Sequence, residues 1–306
     1  MKVLVGYTGF VGSNIFASGS FDAVFNSKNI EDAYGLNPDL LIYAGLKAEK
    51  YLANSAPEKD MELIKQAEEN IRRINPKKLV LISTIDVFTV PKEVDETADI
   101  DTNKLAPYGY NRYQLECWVR EHYPDSLIIR LPGLFGKNIK KNFIYDYINI
   151  IPFMLKEDKY NELVSIKPEL RKYYQSQNNG FYRVIELEHA EKTVLKGLFR
   201  DLGFSALNFT DSRSKYQFYP LSRLWNDIQI LIRNDIQMWH PATEPISASE
   251  LYYYMTGENF QNELPGIPAD YDYKTIHSQL FGGNNGYICG KNEILKSIKA
   301  FIQQSQ

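Results

Sequence analysis

Three glycines near the start of the sequence have the spacing of a loop that holds phosphate groups. Gly6, Gly9 and Gly12 recur every third residue within the first fourteen residues, MKVLVGYTGFVGSN. The first glycine of such a loop permits a tight turn, the second lets a pyrophosphate approach the backbone, and the third lets a helix pack closely on the strand. The phosphates then lie over free N–H groups at the positive end of the helix dipole. This spacing predicts a dinucleotide-binding turn.

Such a turn needs a strand before it and a helix after it, and the neighbouring residues predict both. Residues 2–5 are apolar and partly β-branched, as in a buried strand, and a helical pattern covers residues 12–18. Further strands are predicted at residues 23–26, 40–43, 79–82 and 126–130, and further helices at residues 57–74 and 108–119. This alternation predicts an α/β fold with a doubly wound parallel sheet, the Rossmann type, which binds ligands at the carboxyl ends of its strands.

Composition and charge exclude several classes of protein. The 306 residues, 44% of them hydrophobic, can bury a substantial core. The net charge is −3 with no long basic block, which argues against a nucleic-acid partner. Apolar runs are shorter than the ~18 residues that span a bilayer, and no signal peptide precedes the first strand, so we expect a cytoplasmic protein with no membrane partner. The two cysteines and four histidines are scattered, so no metal site is predicted.

The alternation of strands and helices becomes less regular after Gly136. Helices are predicted at residues 144–150, 168–175, 186–199, 220–232, 248–255 and 292–303. We predict that residues 1–136 form a dinucleotide-binding Rossmann core. Residues 137–306 are predicted to form mostly a smaller α+β substrate-binding part, with segments that return to the core. Aromatic residues are abundant, with 22 Tyr and 16 Phe. They are commonest in cores and interfaces, but they also form the walls of sugar and base pockets.

The glycine turn and the motifs that follow resemble the extended short-chain dehydrogenase/reductase family. Its members include nucleotide-sugar epimerases, dehydratases and reductases. The G-x-x-G-x-x-G spacing is that of the family, and residues 130–136, RLPGLFG, are similar to its R-x-P-G-x-x-G segment. The resemblance covers residues 1–136 well and the remainder only in layout. It implies an NAD or NADP cofactor, a nucleotide-sugar substrate, and a homodimer formed through the helices that begin near Pro57 and Tyr108.

The resemblance also implies which residues bind the cofactor. They lie in the glycine turn, after the second and third strands, and in the RLPGLFG segment: Gly6, Thr8, Gly9, Phe10, Val11, Gly12, Asn26, Ser27, Lys28, Ile30, Ala44, Gly45, Leu46, Pro132, Gly133 and Leu134. An acidic residue after the second strand binds the ribose 2′-OH of NAD, whereas a basic or small polar group accepts the 2′-phosphate of NADP. Asn26, Ser27 and Lys28 include no carboxylate, which favours NADP slightly.

A proton-transfer site is implied as well. Family members use a Ser or Thr, a Tyr, and a Lys four residues after the Tyr, and Thr84, Tyr108 and Arg112 occupy these positions. The Tyr hydroxyl moves the proton of the substrate oxygen, so its pKa of ~10 must fall, and a nearby cation lowers it. Arg keeps the charge but effectively never deprotonates, so it cannot relay protons as Lys does. Arg112 is therefore either a catalytic cation or a structural salt-bridge residue.

The residues after Thr84 separate the activities within the family. Dehydratases carry an acidic pair there, whereas this chain has Ile85 before Asp86, which disfavours elimination. The sequence from Ser83 to Phe88 is more similar to 4-keto reductases and 4-epimerases. We therefore predict an NAD(P)-dependent oxidoreductase or isomerase of nucleotide sugars. Arg112 favours an alternative, a catalytically weak NAD(P)-binding sensor or scaffold. A third hypothesis is a doubly wound fold that binds a ligand other than a dinucleotide.

Overall fold

The computed structural model of the chain describes residues 1–305. Strands and helices alternate in its first part: β1 Lys2–Val5, α1 Phe10–Ser18, β2 Ala23–Phe25, β3 Leu40–Tyr43, α2 Lys50–Ser55, α3 Pro57–Ile74, β4 Leu79–Thr84, α4 Pro107–His122, β5 Leu127–Leu131 and β6 Gly133–Phe135. Short elements are frequent in the rest: α5 Phe143–Ile148, β7 Met154–Lys156, α6 Glu157–Ile166, β8 Tyr174–Ser176, β9 Phe181–Val184, α7 His189–Asp201, β10 Lys215–Tyr216, β11 Phe218–Pro220, α8 Leu224–Arg233, β12 Met238–Trp239, β13 Ile246–Ser247, α9 Ala248–Thr256 and α10 Lys291–Ser305.

The chain divides into two compact units, called unit 1 and unit 2 below. Unit 1 comprises Met1–Ile139, Lys215–Ser247 and Ala269–Phe301. Unit 2 comprises Lys140–Ser214, Ala248–Pro268 and the end of the chain from Ile302.

Unit 1 contains a parallel sheet of six strands in the order β12-β5-β4-β3-β1-β2. Every neighbouring pair in this sheet is parallel, for example β1 with β3, where Val5 lies opposite Tyr43. The chain winds outward from β1 to β2, and then in the opposite direction through β3, β4 and β5. Ligands bind where the winding direction changes, at the carboxyl ends of the strands. The predicted doubly wound α/β fold is confirmed.

Helices α3 and α4 cover one face of this sheet. Each begins with a proline at its first turn, Pro57 and Pro107, where a missing N–H costs no hydrogen bond. Helix α3 ends at Ile74 and is followed by Asn75, whose φ of 54° is left-handed, as is common after a helix. The inward faces of both helices pack on the central strands in one buried cluster, which includes Ile64, Ile71, Leu115, Val119, Leu41 and Leu81. This packing fixes α4, and with it Tyr108, over the ends of the strands.

Unit 2 has its own core. Its antiparallel sheet of three strands has the order β7-β9-β8. Helices α6 and α7 contribute to a buried cluster with this sheet, and Tyr160 stacks on Tyr182 with ring centroids 3.7 Å apart. Many of the abundant aromatic side chains therefore serve as core residues here.

Several predicted boundaries were wrong in detail. Helix α1 begins at Phe10, so Gly12 lies within its first turn. The predicted helix at residues 168–175 is a short 3₁₀ turn, Pro168–Lys172, and Tyr174 then enters β8 by pairing with β9. Helix α2 was not predicted, since six residues are too few for a periodic signal. Within residues 1–305, no helix is both long enough and apolar enough to cross a membrane.

Candidate cofactor and proton-transfer site

The turn after β1 requires glycine at its first position. Gly6 has a φ of +91°, a conformation that other residues rarely adopt. A β-carbon at Gly6 would lie 2.3 Å from the carbonyl oxygen of Ala44, at the end of β3. The N–H of Gly6 donates to the carbonyl of Phe25 at 2.7 Å, and the N–H of Gly9 donates back to Gly6 at 2.9 Å. These contacts place the turn between the ends of β2 and β3.

Gly12 and Gly9 give the turn an open anion site. A β-carbon at Gly12 would lie 2.0 Å from the carbonyl oxygen of Gly6, so only glycine lets α1 approach the turn. Gly9 precedes α1 and has no side chain that could cap the first N–H groups of the helix. A β-carbon at Gly9 would meet only Gly6 O, at 3.3 Å, so this side of the turn has room. These residues fit a bound pyrophosphate. Thr8 is exposed beside them, and Phe10 and Val11 are half-buried.

Asn14 joins the glycine turn to the segment after β6, a contact that the sequence analysis missed. Its side-chain amide donates to the carbonyls of Phe10 at 2.8 Å and Lys137 at 2.9 Å. Its Oδ1 accepts from the N–H of Lys137 at 3.1 Å. Gly136 allows this approach, because a β-carbon there would lie 2.8 Å from Asn14 Oδ1. A polar Asn one turn into the helix after the glycine turn was the available signal.

The loop after β2 leaves two of its predicted cofactor residues exposed. Asn26 Oδ1 accepts from the N–H of Lys28 at 2.8 Å, and Asn29 Oδ1 accepts from the N–H of Asn26 at 2.9 Å. The loop is thus folded by its own amide side chains, while the side chains of Ser27 and Lys28 face solvent. Ile30 begins a 3₁₀ turn and packs against the core cluster of unit 1.

The other predicted cofactor residues follow β3 and β5. The N–H of Ala44 donates to the carbonyl of Val5 at 2.9 Å, and a β-carbon at Gly45 would lie 3.1 Å from the Val5 side chain. Leu46 packs on the core cluster. After β5 and Pro132, strand β6 pairs in parallel with β11, and Gly133 and Leu134 lie opposite Phe218 and Tyr219. Both segments lie at the same edge of the sheet as the glycine turn, because parallel strands end at one edge.

Thr84 and Tyr108 are brought together at this edge. Thr84 is the last residue of β4, and its hydroxyl lies close enough to that of Tyr108 to lower the pKa of Tyr108. The N–H of Tyr108 donates to Asn54 Oδ1 at 2.9 Å. Gly109 is needed next to Tyr108, because a β-carbon there would lie 2.1 Å from the carbonyl oxygen of Asp86. The start of α4 therefore rests directly on the turn that follows Thr84.

Arg112 lies beneath Tyr108 in a buried ion pair. Its guanidinium carbon is 4.6 Å from the centre of the Tyr108 ring. Its Nη1 and Nη2 lie 2.7 Å and 3.0 Å from the two carboxylate oxygens of Asp60, and Nη2 also donates to the carbonyl of Lys47 at 2.9 Å. The two side chains are only 4% and 8% exposed. Asn111 donates to the same carboxylate at 2.9 Å. Arg112 thus makes a buried salt bridge and also lies against the Tyr108 ring.

Several groups act on the ionisation of Tyr108. Burial is the largest effect and raises the pKa of Tyr108. Arg112 lowers that pKa, Asp86 raises it, and Lys50 and the Thr84 hydroxyl lower it again. Lys50 Nζ lies 2.8 Å from Asp86 Oδ1, so the charge of Asp86 is partly compensated. With these groups in place, burial keeps the Tyr108 hydroxyl protonated, as a proton donor requires.

A buried polar network fixes α4 behind Thr84. Ser83 donates to Glu116 Oε1 at 2.5 Å, and Arg130 Nη2 lies 2.7 Å from Glu116 Oε2. Arg130 Nη1 also contacts His240 Nε2 at 3.3 Å. Burial and, secondly, the Arg130 charge lower the pKa of His240 to about 3, so the ring is neutral. These contacts hold strands β4 and β5 and helix α4 in fixed positions relative to one another. The sequence analysis assigned no role to these four residues.

The chain was compared with known proteins. No protein-family profile and no curated protein matches the sequence. Solved structures match it over nearly its whole length. They include the dTDP-4-dehydrorhamnose reductase of Bacillus anthracis str. Ames in complex with NADP, with 15% identity, 99% of this chain and 97% of that chain covered, and a TM-score of 0.62.

Two further matches have related descriptions. RMD from Pseudomonas aeruginosa complexed with NADPH has 12% identity, 100% and 99% coverage, and a TM-score of 0.61. The UDP-glucose 4-epimerase of Thermotoga maritima with UDP-glucose has 14% identity, 99% and 98% coverage, and a TM-score of 0.60. These structural neighbours are enzymes of the extended short-chain dehydrogenase/reductase type, so the predicted resemblance is confirmed at the level of the fold.

Proposed function

We propose that the protein is an NAD(P)-dependent reductase or epimerase that acts on a nucleotide-activated sugar. The observation that carries this proposal is the juxtaposition of Thr84 and Tyr108, with Arg112 beneath the Tyr108 ring, at the sheet edge that also holds the glycine turn. Enzymes of this kind are among the structural neighbours, including reductases in complex with NADP or NADPH and an epimerase with UDP-glucose. They support this class of activity and an NAD or NADP cofactor.

Each residue of the pair has a defined part in this proposal. A bound nicotinamide cofactor supplies or accepts the hydride. Thr84 holds the substrate oxygen through a hydrogen bond and thereby orients the carbon that reacts. Tyr108 donates its hydroxyl proton to that oxygen as a carbonyl becomes an alcohol, and removes the proton in the reverse direction. The glycine turn binds the pyrophosphate at the N-terminus of α1, and the loop at Ser27 and Lys28 accepts the adenosine ribose, with a preference for NADP.

A second candidate function is an NAD(P)-binding sensor or scaffold with weak catalysis. The specific observation in its favour is the ion pair of Arg112 with Asp60, which engages Nη1 and Nη2 of the guanidinium at the position of the motif lysine. A homodimer through α3 and α4, and a substrate-binding role for unit 2, stay predictions.

Cofactor binding and turnover separate the candidates. Calorimetry with NADP and NAD should show binding to the wild type. Turnover of UDP-, GDP- and dTDP-sugars with the bound cofactor, lost in Tyr108→Phe, would support the enzyme. Binding without turnover of any sugar would support the sensor. An absence of dinucleotide binding would contradict both.

A further inference from the structure

The lysine of the family motif combines two properties, a positive charge and a proton that it can exchange. Arg112 can provide only the charge, since a guanidinium effectively never deprotonates in proteins. Its nitrogens are also engaged by the Asp60 carboxylate and the Lys47 carbonyl. Arg112 is therefore fixed beneath the Tyr108 ring. Its guanidinium is not free to move toward the Tyr108 oxygen when that oxygen becomes negatively charged.

A second cation lies on the other side of the site. Lys50 is the first residue of α2, and its Nζ lies 2.8 Å from Asp86 Oδ1. The N–H of Asp86 in turn donates to Thr84 Oγ1 at 3.2 Å. The Lys50 side chain is 50% exposed, so its ammonium is open to solvent. This ion pair links α2 to the turn that carries Thr84.

The segment that contains Lys50 is attached to α4 on both sides of that residue. On one side, the carbonyl of Lys47 accepts from Arg112 at 2.9 Å. On the other, Asn54 Oδ1 accepts from the N–H of Tyr108 at 2.9 Å. Through these contacts Arg112 and Tyr108 hold residues 47–54 against the start of α4, with Lys50 between the two attachments.

We propose that Lys50 provides the exchangeable positive charge near Tyr108 and that Arg112 is a positioning residue that holds the Lys50 segment in place. The proposal rests on the proposed function. Lys50 acts through its neighbours, because it compensates Asp86, whose negative charge would otherwise oppose a phenolate at Tyr108. As Tyr108 gives up its proton, the ammonium of Lys50 stabilises the phenolate until a proton returns.

The charges around Tyr108 agree with this division of roles. Four groups besides burial act on its pKa, from four different elements. Arg112 on α4 and Lys50 on α2 lower it, Asp86 after β4 raises it, and the Thr84 hydroxyl at the end of β4 lowers it. Tyr271 lies beside Asp86, and burial raises the pKa of Tyr271, so it stays neutral. Loss of Lys50 would therefore remove a favourable charge and also leave Asp86 uncompensated.

The test is a direct titration of Tyr108 by NMR, with tyrosine labelled at ¹³Cζ and the Tyr108 signal identified by its loss in Tyr108→Phe. An arginine keeps its charge at the alkaline pH where Tyr108 titrates, so the Tyr108 midpoint should be about half a unit to one unit higher in Lys50→Met than in Lys50→Arg, as expected for a partly screened charge. Asp86→Asn added to Lys50→Met should lower the midpoint again. Lys47→Met is the matched control, an exposed neighbouring lysine, and should leave the midpoint unchanged.

Equal midpoints in Lys50→Met and Lys50→Arg would overturn the proposal and leave Arg112 as the cation that sets the charge. A shift of equal size in Lys47→Met would overturn it too, since the effect would then be one of general surface charge. In the active enzyme, the limb of the pH–rate profile that reports Tyr108 should move by the same amount in Lys50→Met. The titration needs neither cofactor nor sugar, so its failure is distinguishable from a failure of the proposed function, which would appear as lost binding or turnover.

Discussion

Arg112 and Asp60 form a bidentate ion pair between α4 and α3. Nη1 and Nη2 of Arg112 lie 2.7 Å and 3.0 Å from the two carboxylate oxygens of Asp60, and both side chains are almost fully buried. Removal of one partner leaves a buried charge without compensation. We expect Asp60→Asn, which keeps the shape of the side chain, to lower the free energy of unfolding by about 3–5 kcal/mol. Urea unfolding measures this change. Glu58→Gln, on the exposed side of the same helix turn, should stay within about 0.5 kcal/mol of wild type.

Substitutions at Gly9 can separate an effect of charge on NADP binding from an effect on folding. An Asp at this position is a good helix cap, so its carboxylate should occupy the first N–H groups of α1. We expect Gly9→Asp to keep or slightly raise the melting temperature and to weaken NADP binding more than tenfold. Calorimetry and thermal unfolding on the same samples check both effects. Gly9→Ala, which adds a methyl group without charge, should weaken binding less, and equal losses in the two variants would favour a purely steric explanation.

Tyr108→Phe removes one hydroxyl from the proton-transfer pair. General acid–base catalysis contributes about 10²–10⁴-fold, so kcat should fall by that factor while cofactor affinity stays nearly constant. Steady-state kinetics and calorimetry measure the two quantities. Tyr110→Phe is the control, an exposed tyrosine on the same helix, and should leave kcat unchanged. Full activity in Tyr108→Phe would exclude this tyrosine as the proton donor.

Lys28 is the predicted contact for the 2′-phosphate of NADP. It is exposed in the loop after β2, so its replacement should not affect folding. We expect Lys28→Glu to weaken NADP at least tenfold and to change NAD binding little, because only NADP carries the extra phosphate. The ratio of the two dissociation constants is the relevant measurement. Lys65→Glu, an exposed lysine on α3, should leave that ratio unaltered.

His240 predicts a pH dependence of stability. Its pKa is about 3 in the folded protein, where the unfolded value is near 6.5. Above pH 6.5 the His240 ring is neutral in both the folded and the unfolded state. Below pH 6.5 the ring gains a proton only in the unfolded state, so the free energy of unfolding falls as the pH decreases from 6.5 toward 3. Between pH 7 and pH 5.5 wild type should lose about 1 kcal/mol more than His240→Gln, measured by urea unfolding. The exposed His189→Gln should behave like wild type.

Local signals in the sequence were sufficient for the framework of unit 1. Strand β3 and helix α3 have the predicted bounds, because one is a short apolar run and the other has Pro at its start and Asn after its end. The glycine turn is equally local, since Gly6 and Gly9 contact each other within one turn of chain.

The partners of the site residues could not be predicted in the same way. Asp60 and Arg112 are 52 residues apart. The sequence of α3 alone does not distinguish Asp60 from the exposed acidic residues beside it, because Asp60 is set apart only by its contact with α4. Lys50 lies on a helix of six residues, too short to produce a period. The network of Glu116, Arg130 and His240 joins residues up to 110 positions apart.

These separations also bear on the order in which the chain acquires structure. The turn at Gly6 and Gly9 closes over three residues, whereas the contacts of Arg112 with Asp60 and Lys47 span 52 and 65 residues. The entropy of loop closure delays distant contacts, so the surroundings of Tyr108 should form after the glycine turn. During synthesis, moreover, Arg112 emerges only after α3 is complete. A nascent chain shorter than 112 residues would hold the glycine turn without the complete surroundings of Tyr108.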